Sequence, residues 1–298
     1  MVDWGLKGWD RLETIMPIYH STPLFLIVKS MSEDFRIFGR GFSQPRNSQM
    51  IIGLDGWVNA GKVSTFSVKY LISKLGAKRF GEILQERFHD YAVQRPFVSI
   101  RDGLIRSYVP PQTILYYWKG DGDLSLILLL GVEPSLNWPR YADAVLKVAE
   151  KMNVRRIYTI GGYLADVSPE DETLISTTTN NKDLIEELKR LNVVLTSYSG
   201  PTSVYSEIMW RCKRRNIDVI SLWSAIPIYI EGLYPKAAYC ILEKIIKLAG
   251  LKVDLTDLKR KSESFKPPSE RRVVSQSEMR RLIRSLGGKE EKGPTYIL

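Results

Sequence analysis

The sequence has few of the residues on which metal binding and redox chemistry depend. Its 298 residues include only two histidines and two cysteines. His20 and His89 have neither metal-ligand spacing nor a neighbouring nucleophile, so we expect surface or structural roles for both. Cys212 and Cys240 are isolated, which argues against a disulfide scaffold and a structural zinc site and favours small core residues. We therefore predict no metal site and no cofactor.

Motifs for nucleophilic catalysis and nucleotide binding are also missing. The sequence contains no G-x-S-x-G nucleophile elbow and no Walker A motif. The segment 200–204 resembles the elbow, but Val204 stands where the motif requires glycine. Because no nucleophile–base pair emerges, we predict that no residue is catalytic and that the protein is not an enzyme.

Long apolar runs are absent as well. The longest strongly apolar stretch runs from Leu124 to Val132, far short of the roughly 20 residues of a membrane-spanning helix. Residues 1–5 lack the basic and then apolar order of a signal peptide. We expect a soluble, cytoplasmic protein with no membrane partner.

Positive charge is in excess, and it is unevenly distributed. The formal net charge is +10, and residues 259–298 hold 11 Lys or Arg against 5 Asp or Glu, which places +6 there. A basic protein can bind nucleic acid, an anionic membrane or an acidic protein. Because the excess lies on an appendage and the core has no recognisable nucleic-acid motif, nucleic-acid binding is the least favoured function class.

Segments with strand and helix periodicity alternate from about residue 49. This order predicts an α/β domain with a mostly parallel sheet and helices on both of its faces. Asp102-Gly103 is the strongest short signal for a hairpin, and Gly76 is placed to end the first helix. The predicted strands are 50–54, 98–101, 104–108, 114–118, 126–130, 156–160, 193–197 and 218–222, and the predicted helices are 63–75, 138–152, 181–191, 203–214 and 236–249.

The composition changes after about residue 258. We predict an α/β core with an N-terminal extension over 1–258, and a basic tail over 259–298 that begins as a solvated linker. A short amphipathic helix follows, with apolar residues at i, i+3, i+4 and i+7: Met279, Leu282, Ile283 and Leu286. We expect the tail to become ordered only when this helix and the terminal Tyr296, Ile297 and Leu298 find a partner.

Two glycine-rich loops follow predicted strands, at 55–62 and 161–166. Backbone N–H groups at a helix N-terminus attract anions, and Lys62 adds positive charge, so the first loop is a candidate anion site. A tight turn in which glycine only satisfies backbone geometry is the alternative. Both loops should line one crevice at the carboxyl ends of the strands, with seven candidate residues: Gly56, Asn59, Gly61, Lys62, Gly161, Gly162 and Tyr163.

The same loops carry a family resemblance. Residues 55–61 and 160–163 are similar to two glycine loops of the proteasome assembly chaperone family, in particular its archaeal-type homologues. Residues 227–229 and 234–238 resemble the proline-tyrosine and proline-x-alanine-alanine segments before that family's last core helix. Each motif is weak alone, but four in the right order are more specific, and they span about 24 to 258.

The resemblance implies a three-layer α/β sandwich similar to nucleoside phosphorylases. It implies a non-enzymatic activity, either helping proteasome α-subunits to assemble or docking on the 20S α-ring. It also implies a homo-oligomer, and the N-terminal Trp4, Trp9 and Tyr19 are candidates for burial against a neighbouring copy.

Some family members end in a hydrophobic–tyrosine–any residue tripeptide that inserts between α-subunits. This chain departs from that pattern by one position, because Tyr296 is third from the end and Ile297 is penultimate. The main alternative is an enzyme or sensor that binds a small nucleoside-like or phosphate-like anion in the glycine-loop crevice. Its main support is the analogy of fold to phosphorylases.

Overall fold

The computed structural model describes residues 34–38, 45, 47–120 and 122–267. The N-terminal aromatic residues, the predicted helix around Met279 and the terminal tripeptide 296–298 lie outside this part of the chain, so those predictions stand as they were made. None of the described helices is long and apolar enough to cross a membrane.

The described part contains eleven strands and six α-helices. The strands are β1 Phe35–Ile37, β2 Asn47–Asp55, β3 Lys78–Ile83, β4 Phe97–Arg101, β5 Leu104–Val109, β6 Thr113–Lys119, β7 Leu124–Val132, β8 Val154–Ala165, β9 Ile175–Thr179, β10 Val194–Leu195 and β11 Asp218–Pro227. The helices are α1 Val63–Leu75, α2 Trp138–Lys151, α3 Ile185–Lys189, α4 Val204–Cys212, α5 Pro235–Ala249 and α6 Thr256–Ser264.

Nine strands form one mixed sheet in the order β1-β3-β6-β7-β2-β8-β11-β9-β10. The four central strands, β7, β2, β8 and β11, are all parallel. On one flank β6, β3 and β1 pair antiparallel, and on the other β9 runs antiparallel to β11. The predicted parallel centre is confirmed, and the antiparallel flanks make the whole sheet mixed.

Helices cover both faces of this sheet, as a three-layer sandwich requires. Along β7 the side chains alternate: Leu126 and Leu128 belong to a core shared with α1 and α5, whereas Ile127 and Leu129 belong to a core shared with α2 and α4. Adjacent residues of a strand point to opposite faces, so a continuous apolar run is the signature of a strand covered on both sides. The predicted three-layer architecture is confirmed.

Several predicted local signals also have the expected geometry. Gly76 takes a left-handed conformation and its N–H closes the end of α1. Asp102 and Gly103 have φ values of 52° and 73°, the two positive values of a type I′ hairpin turn between β4 and β5.

Other predicted elements differ in extent. The helix predicted over 181–191 is a 3₁₀ turn followed by the five residues of α3, and the strand predicted over 193–197 is only the two residues of β10. The strands β1, β3 and β9 lacked a clear alternating pattern and were not predicted. All three lie on the flanks of the sheet, where pairing to a neighbouring strand decides the conformation.

The interpretation of 259–262 as linker is wrong, because these residues lie within α6. Leu258 is fully buried, and Asp257 receives a hydrogen bond from the Tyr70 hydroxyl and pairs with Lys74 at 3.0 Å. Beyond the helix, the ring of Phe265 packs edge-on against Tyr234 at 5.5 Å between centroids. Polar composition therefore concealed a helix that is packed on the core, while the division into core and tail remains a prediction.

Candidate functional site

The two glycine-rich loops meet at the carboxyl ends of β2 and β8. Asn59 and Gly162 form a parallel β-bridge, and the Gly162 N–H donates to the Val58 carbonyl at 2.8 Å. The structure therefore brings the predicted crevice residues of both loops together. It does so by direct contact of one loop with the other.

Gly162 is required by this contact, and Gly161 is required by packing against Trp223. A Cβ atom on Gly162 would lie 2.4 Å from the Ala60 carbonyl oxygen, and one on Gly161 would lie 2.3 Å from the Trp223 ring. Both distances are far below a normal van der Waals contact. Protein atoms thus fill the space beside these two glycines, and their lack of a side chain serves packing.

Gly56 and Gly61 serve the backbone conformation of the first loop. Their φ values are 126° and 59°, in the region that favours glycine. The carbonyl of Gly61 accepts a hydrogen bond from the Tyr234 N–H at 2.9 Å, which ties the loop to the start of α5. These contacts favour the tight-turn alternative for this loop.

Asn59 is buried, and its amide is used within its own loop. Its Oδ1 accepts from the Thr65 N–H at 3.1 Å, and its Nδ2 donates to Asp55 Oδ1 at 2.7 Å and to Thr65 Oγ1 at 3.0 Å. A side chain that caps backbone N–H groups at the start of a helix stabilises that helix. Asn59 therefore holds the strand-to-helix turn of β2 and α1.

Lys62 is the exposed cation of the first loop. It has a φ of 53°, and its Nζ lies 3.6 Å from Asp55 Oδ1. The nearby carboxylate offsets the positive charge that the anion-site hypothesis assigned to this residue. Tyr163 of the second loop is half-buried, at the rim of the same region.

Glu133 is a buried carboxylate of this region that sequence reasoning missed. It follows β7, and its Oε1 accepts from the Val204 N–H at the start of α4 at 3.0 Å. Burial raises the pKa of Glu133, while hydrogen bonds from the backbone of Val204 and Trp57 lower it. The carboxylate thus ties the first glycine loop to the N-terminus of α4, where a negative charge is favoured. Its only sequence signal is its place directly after a long apolar strand.

An aromatic cluster lies beside the loops. Trp57 is 63% exposed and meets Trp223 edge-on at 6.4 Å, and Trp223 meets the fully buried Tyr205 at 6.0 Å. The Tyr205 hydroxyl accepts from the Leu54 N–H and exchanges a hydrogen bond with the Ser64 hydroxyl. Burial raises the pKa of Tyr205. The cluster presents one large aromatic side chain to solvent on a rigid base, an arrangement common in protein interfaces.

His89, Cys212 and Cys240 lie in surroundings that are typical of structural residues. His89 is buried, its ring nitrogens contact the side-chain oxygens of Gln85 and Gln94, and burial lowers its pKa. Burial raises the pKa of Cys212 to about 12 and also raises that of Cys240, so neither thiol is activated. Among the described residues, no group of His, Cys, Asp and Glu side chains is arranged to hold a metal ion.

Comparison with known proteins gives one family and a set of related folds. The model of the PAC2 family matches residues 53–267. A PAC2 family protein from Streptomyces avermitilis is 25% identical, with 73% of this chain and 92% of that chain covered and a TM-score of 0.66. The proteasome-assembly chaperone homologue Rv2125 of Mycobacterium tuberculosis is 24% identical, with 81% and 97% covered and a TM-score of 0.67. PbaB of Pyrococcus furiosus, an archaeal proteasome activator, is 22% identical, with 85% and 98% covered and a TM-score of 0.61.

Proposed function

The chain belongs to the PAC2 family, and from this premise we propose that it is a non-enzymatic factor that binds proteasome α-subunits or the assembled 20S α-ring. The names of two structural relatives, a proteasome activator and a proteasome-assembly chaperone homologue, support a proteasome partner. Such a role also places the protein in the cytoplasm and includes association with further copies of itself.

One observation favours a binding factor over an enzyme. At the sheet end where enzymes of this fold class keep their chemistry, both glycine loops pack on each other and Asn59 is used internally. The first loop also exposes the large apolar surface of Trp57 to solvent. A surface of this kind suits a protein partner better than a small anion.

The proposal assigns the basic tail a docking role. Met279, Leu282 and Ile283 would occupy a groove on the partner, and Tyr296, Ile297 and Leu298 would enter a pocket. The terminal carboxylate would pair with a partner lysine, a directional and charge-assisted contact. Tyr296 lies one position away from the tyrosine of the family tripeptide. A test of tail docking should therefore address the terminal carboxylate as well as the tyrosine.

The test is binding of the full-length chain to immobilised 20S proteasome, measured by biolayer interferometry. We expect wild type to bind, deletion of 296–298 and Tyr296→Ala to weaken binding, and one residue added after Leu298 to weaken it more than the matched charge change Lys289→Ala does. Equal affinity of all variants would discard tail docking, whereas no binding by wild type would discard the proteasome role.

The enzyme or sensor alternative has its own test. Calorimetry with inorganic phosphate and with nucleosides should show no heat of binding, and Lys62→Ala should leave binding to the proteasome unchanged. Turnover of a nucleoside that Lys62→Ala abolishes would replace the binding function with a catalytic one.

A further inference from the structure

The hairpin of β4 and β5 has one apolar face that nothing in the described chain covers. Val98 pairs with Tyr108 and Ile100 pairs with Ile105, and directly opposed residues of antiparallel strands point to the same face. These four side chains are 43%, 54%, 59% and 70% exposed in that order. The hairpin therefore carries a continuous apolar surface, which we call the hairpin face.

A β-bulge creates this face. The register shifts between Ser99 and Ile100, so Ile105, and not Arg106, lies opposite Ile100. Without the extra residue a charged side chain would interrupt the row. The local geometry thus places four apolar side chains together at a site exposed to solvent.

The hairpin forms its own two-stranded sheet, separate from the nine-stranded one. A two-stranded hairpin is marginal in water by itself, and a contiguous exposed apolar face is typical of an interface. Arg95, Arg101 and Arg106 are exposed, and within the described residues none of them forms an ion pair. A partner surface for the hairpin should therefore be apolar in part and acidic.

The loop between β8 and β9 has this complementary chemistry. Its four carboxylates are exposed and make no ion pair with the described lysines and arginines: Asp166, Glu170, Asp171 and Glu172. The exposed side chains of Leu164 and Leu174 lie at its two ends, 57% and 42% accessible. Lys236 donates from Nζ to the carbonyls of Pro169 and Asp171, each at 2.7 Å, so the backbone of this acidic loop is anchored to α5 at these two residues.

The hairpin and the acidic loop project from the same end of the sheet. Thr113, at the start of β6, pairs with Gly131 near the end of β7, so the hairpin base lies at the carboxyl ends of the parallel strands. The acidic loop follows β8 at that end. Three strand spacings separate β6 from β8, about 14 Å. Because both surfaces lie at one end of the molecule, two copies can form the contact reciprocally about a two-fold axis, with each hairpin meeting the acidic loop of the other copy.

We propose that the hairpin of one copy docks on the acidic loop of the next copy, with the hairpin face against Leu164 and Leu174 and the arginines against the carboxylates. Each such contact joins two different surfaces, the hairpin of one copy and the acidic loop of the other. The proposal rests on the self-association included in the proposed function, and it does not depend on proteasome binding.

Complementary charge reversal tests this contact in the full-length chain. The hairpin variant is Arg101→Glu with Arg106→Glu, and the loop variant is Glu170→Arg with Asp171→Arg. All four side chains are exposed, and the Lys236 contacts use backbone carbonyls, so both variants should fold; circular dichroism checks this. The matched control is Lys147→Glu with Arg155→Glu, which makes the same charge change as the hairpin variant on exposed residues away from this end.

Light scattering at low micromolar concentration is the measurement. We expect wild type and control to be oligomeric, and each variant alone to fall to the 34.1 kDa of one chain. An equimolar mixture should assemble again, because native hairpin meets native loop and the reversed pair is also complementary. A monomeric wild type would overturn both self-association and this contact. Oligomers that survive either reversal, or a mixture that stays monomeric, would overturn the contact alone.

Discussion

Two regions at the same end of the sheet differ in how their polar and apolar side chains are covered. The glycine loops bury Asn59 and Glu133, and both side chains find hydrogen-bond partners within the protein. The β4–β5 hairpin, a few strands away, leaves its apolar face exposed and its arginines without ion pairs in the described chain. In the first region the buried polar groups are satisfied within one chain, whereas no described residue covers the apolar face of the second region. The glycine motifs therefore serve the scaffold, and the hairpin is the region that the proposed contact between copies would use.

Forcing the two glycine loops apart should have the largest effect on stability. Gly162→Val should destabilise the fold by about 3 kcal/mol or more, because its Cβ would lie 2.4 Å from the backbone of Ala60, which has no side-chain freedom to give way. Urea unfolding followed by circular dichroism measures the change. The control is Gly122→Ala, a glycine of positive φ with open space around it, which should lose only about 1 kcal/mol. Equal losses would show that the loops do not pack as described.

Loss of the Asn59 cap in the first glycine loop should have the next largest effect on stability. Asn59→Ala removes the acceptor for the Thr65 N–H and two donated hydrogen bonds, so we expect a loss of about 1–2 kcal/mol in the free energy of unfolding. Lys62→Ala, in the same loop but exposed, serves as control and should change stability little. If Asn59→Ala is as stable as wild type, the cap has no structural role and Asn59 is again a candidate for ligand binding.

The buried carboxylate of Glu133 should make the stability of the fold depend on pH. Because burial raises the pKa of Glu133 in the folded state, the folded protein binds that proton more tightly than the unfolded chain. The stabilisation that this proton provides is full below the pKa of Glu133 in the unfolded chain. It is lost as pH rises through the pKa of Glu133 in the folded protein. Glu133→Gln keeps an acceptor for Val204, so it should gain stability relative to wild type as pH rises from 4 to 7. Thermal melts across that range measure the difference, and a gap that is constant with pH would contradict the assignment.

The smallest effect on stability should come from the hairpin. Ile105→Ser removes the most exposed member of the hairpin face, so the free energy of unfolding of a single chain should change by no more than about 0.5 kcal/mol. Self-association, measured by light scattering, should nevertheless weaken. Leu195→Ser, an exposed apolar residue at the β10 edge, is the matched control and should leave self-association intact. A large loss of stability in Ile105→Ser would show that the hairpin packs on its own chain.

Much of the fold was predictable because its signals are local or periodic. The apolar run of β7, the hairpin turn at Asp102-Gly103 and the cap at Gly76 each follow from the residues themselves. The flanking β3 and β9 and the helix α6 were missed, because their conformation depends on pairing with β6 and β11 and on contacts of Leu258 and Asp257 with the core.

The same division holds for the site. From the residues alone both glycine loops were expected at the carboxyl ends of parallel strands, because each loop directly follows a predicted strand. The assembled fold was needed to show that the loops pack on each other, that Glu133 joins the first loop to α4, and that no described residue covers the hairpin face. These outcomes depend on side chains from distant segments, and burial, unlike periodicity, is a property of the assembled molecule.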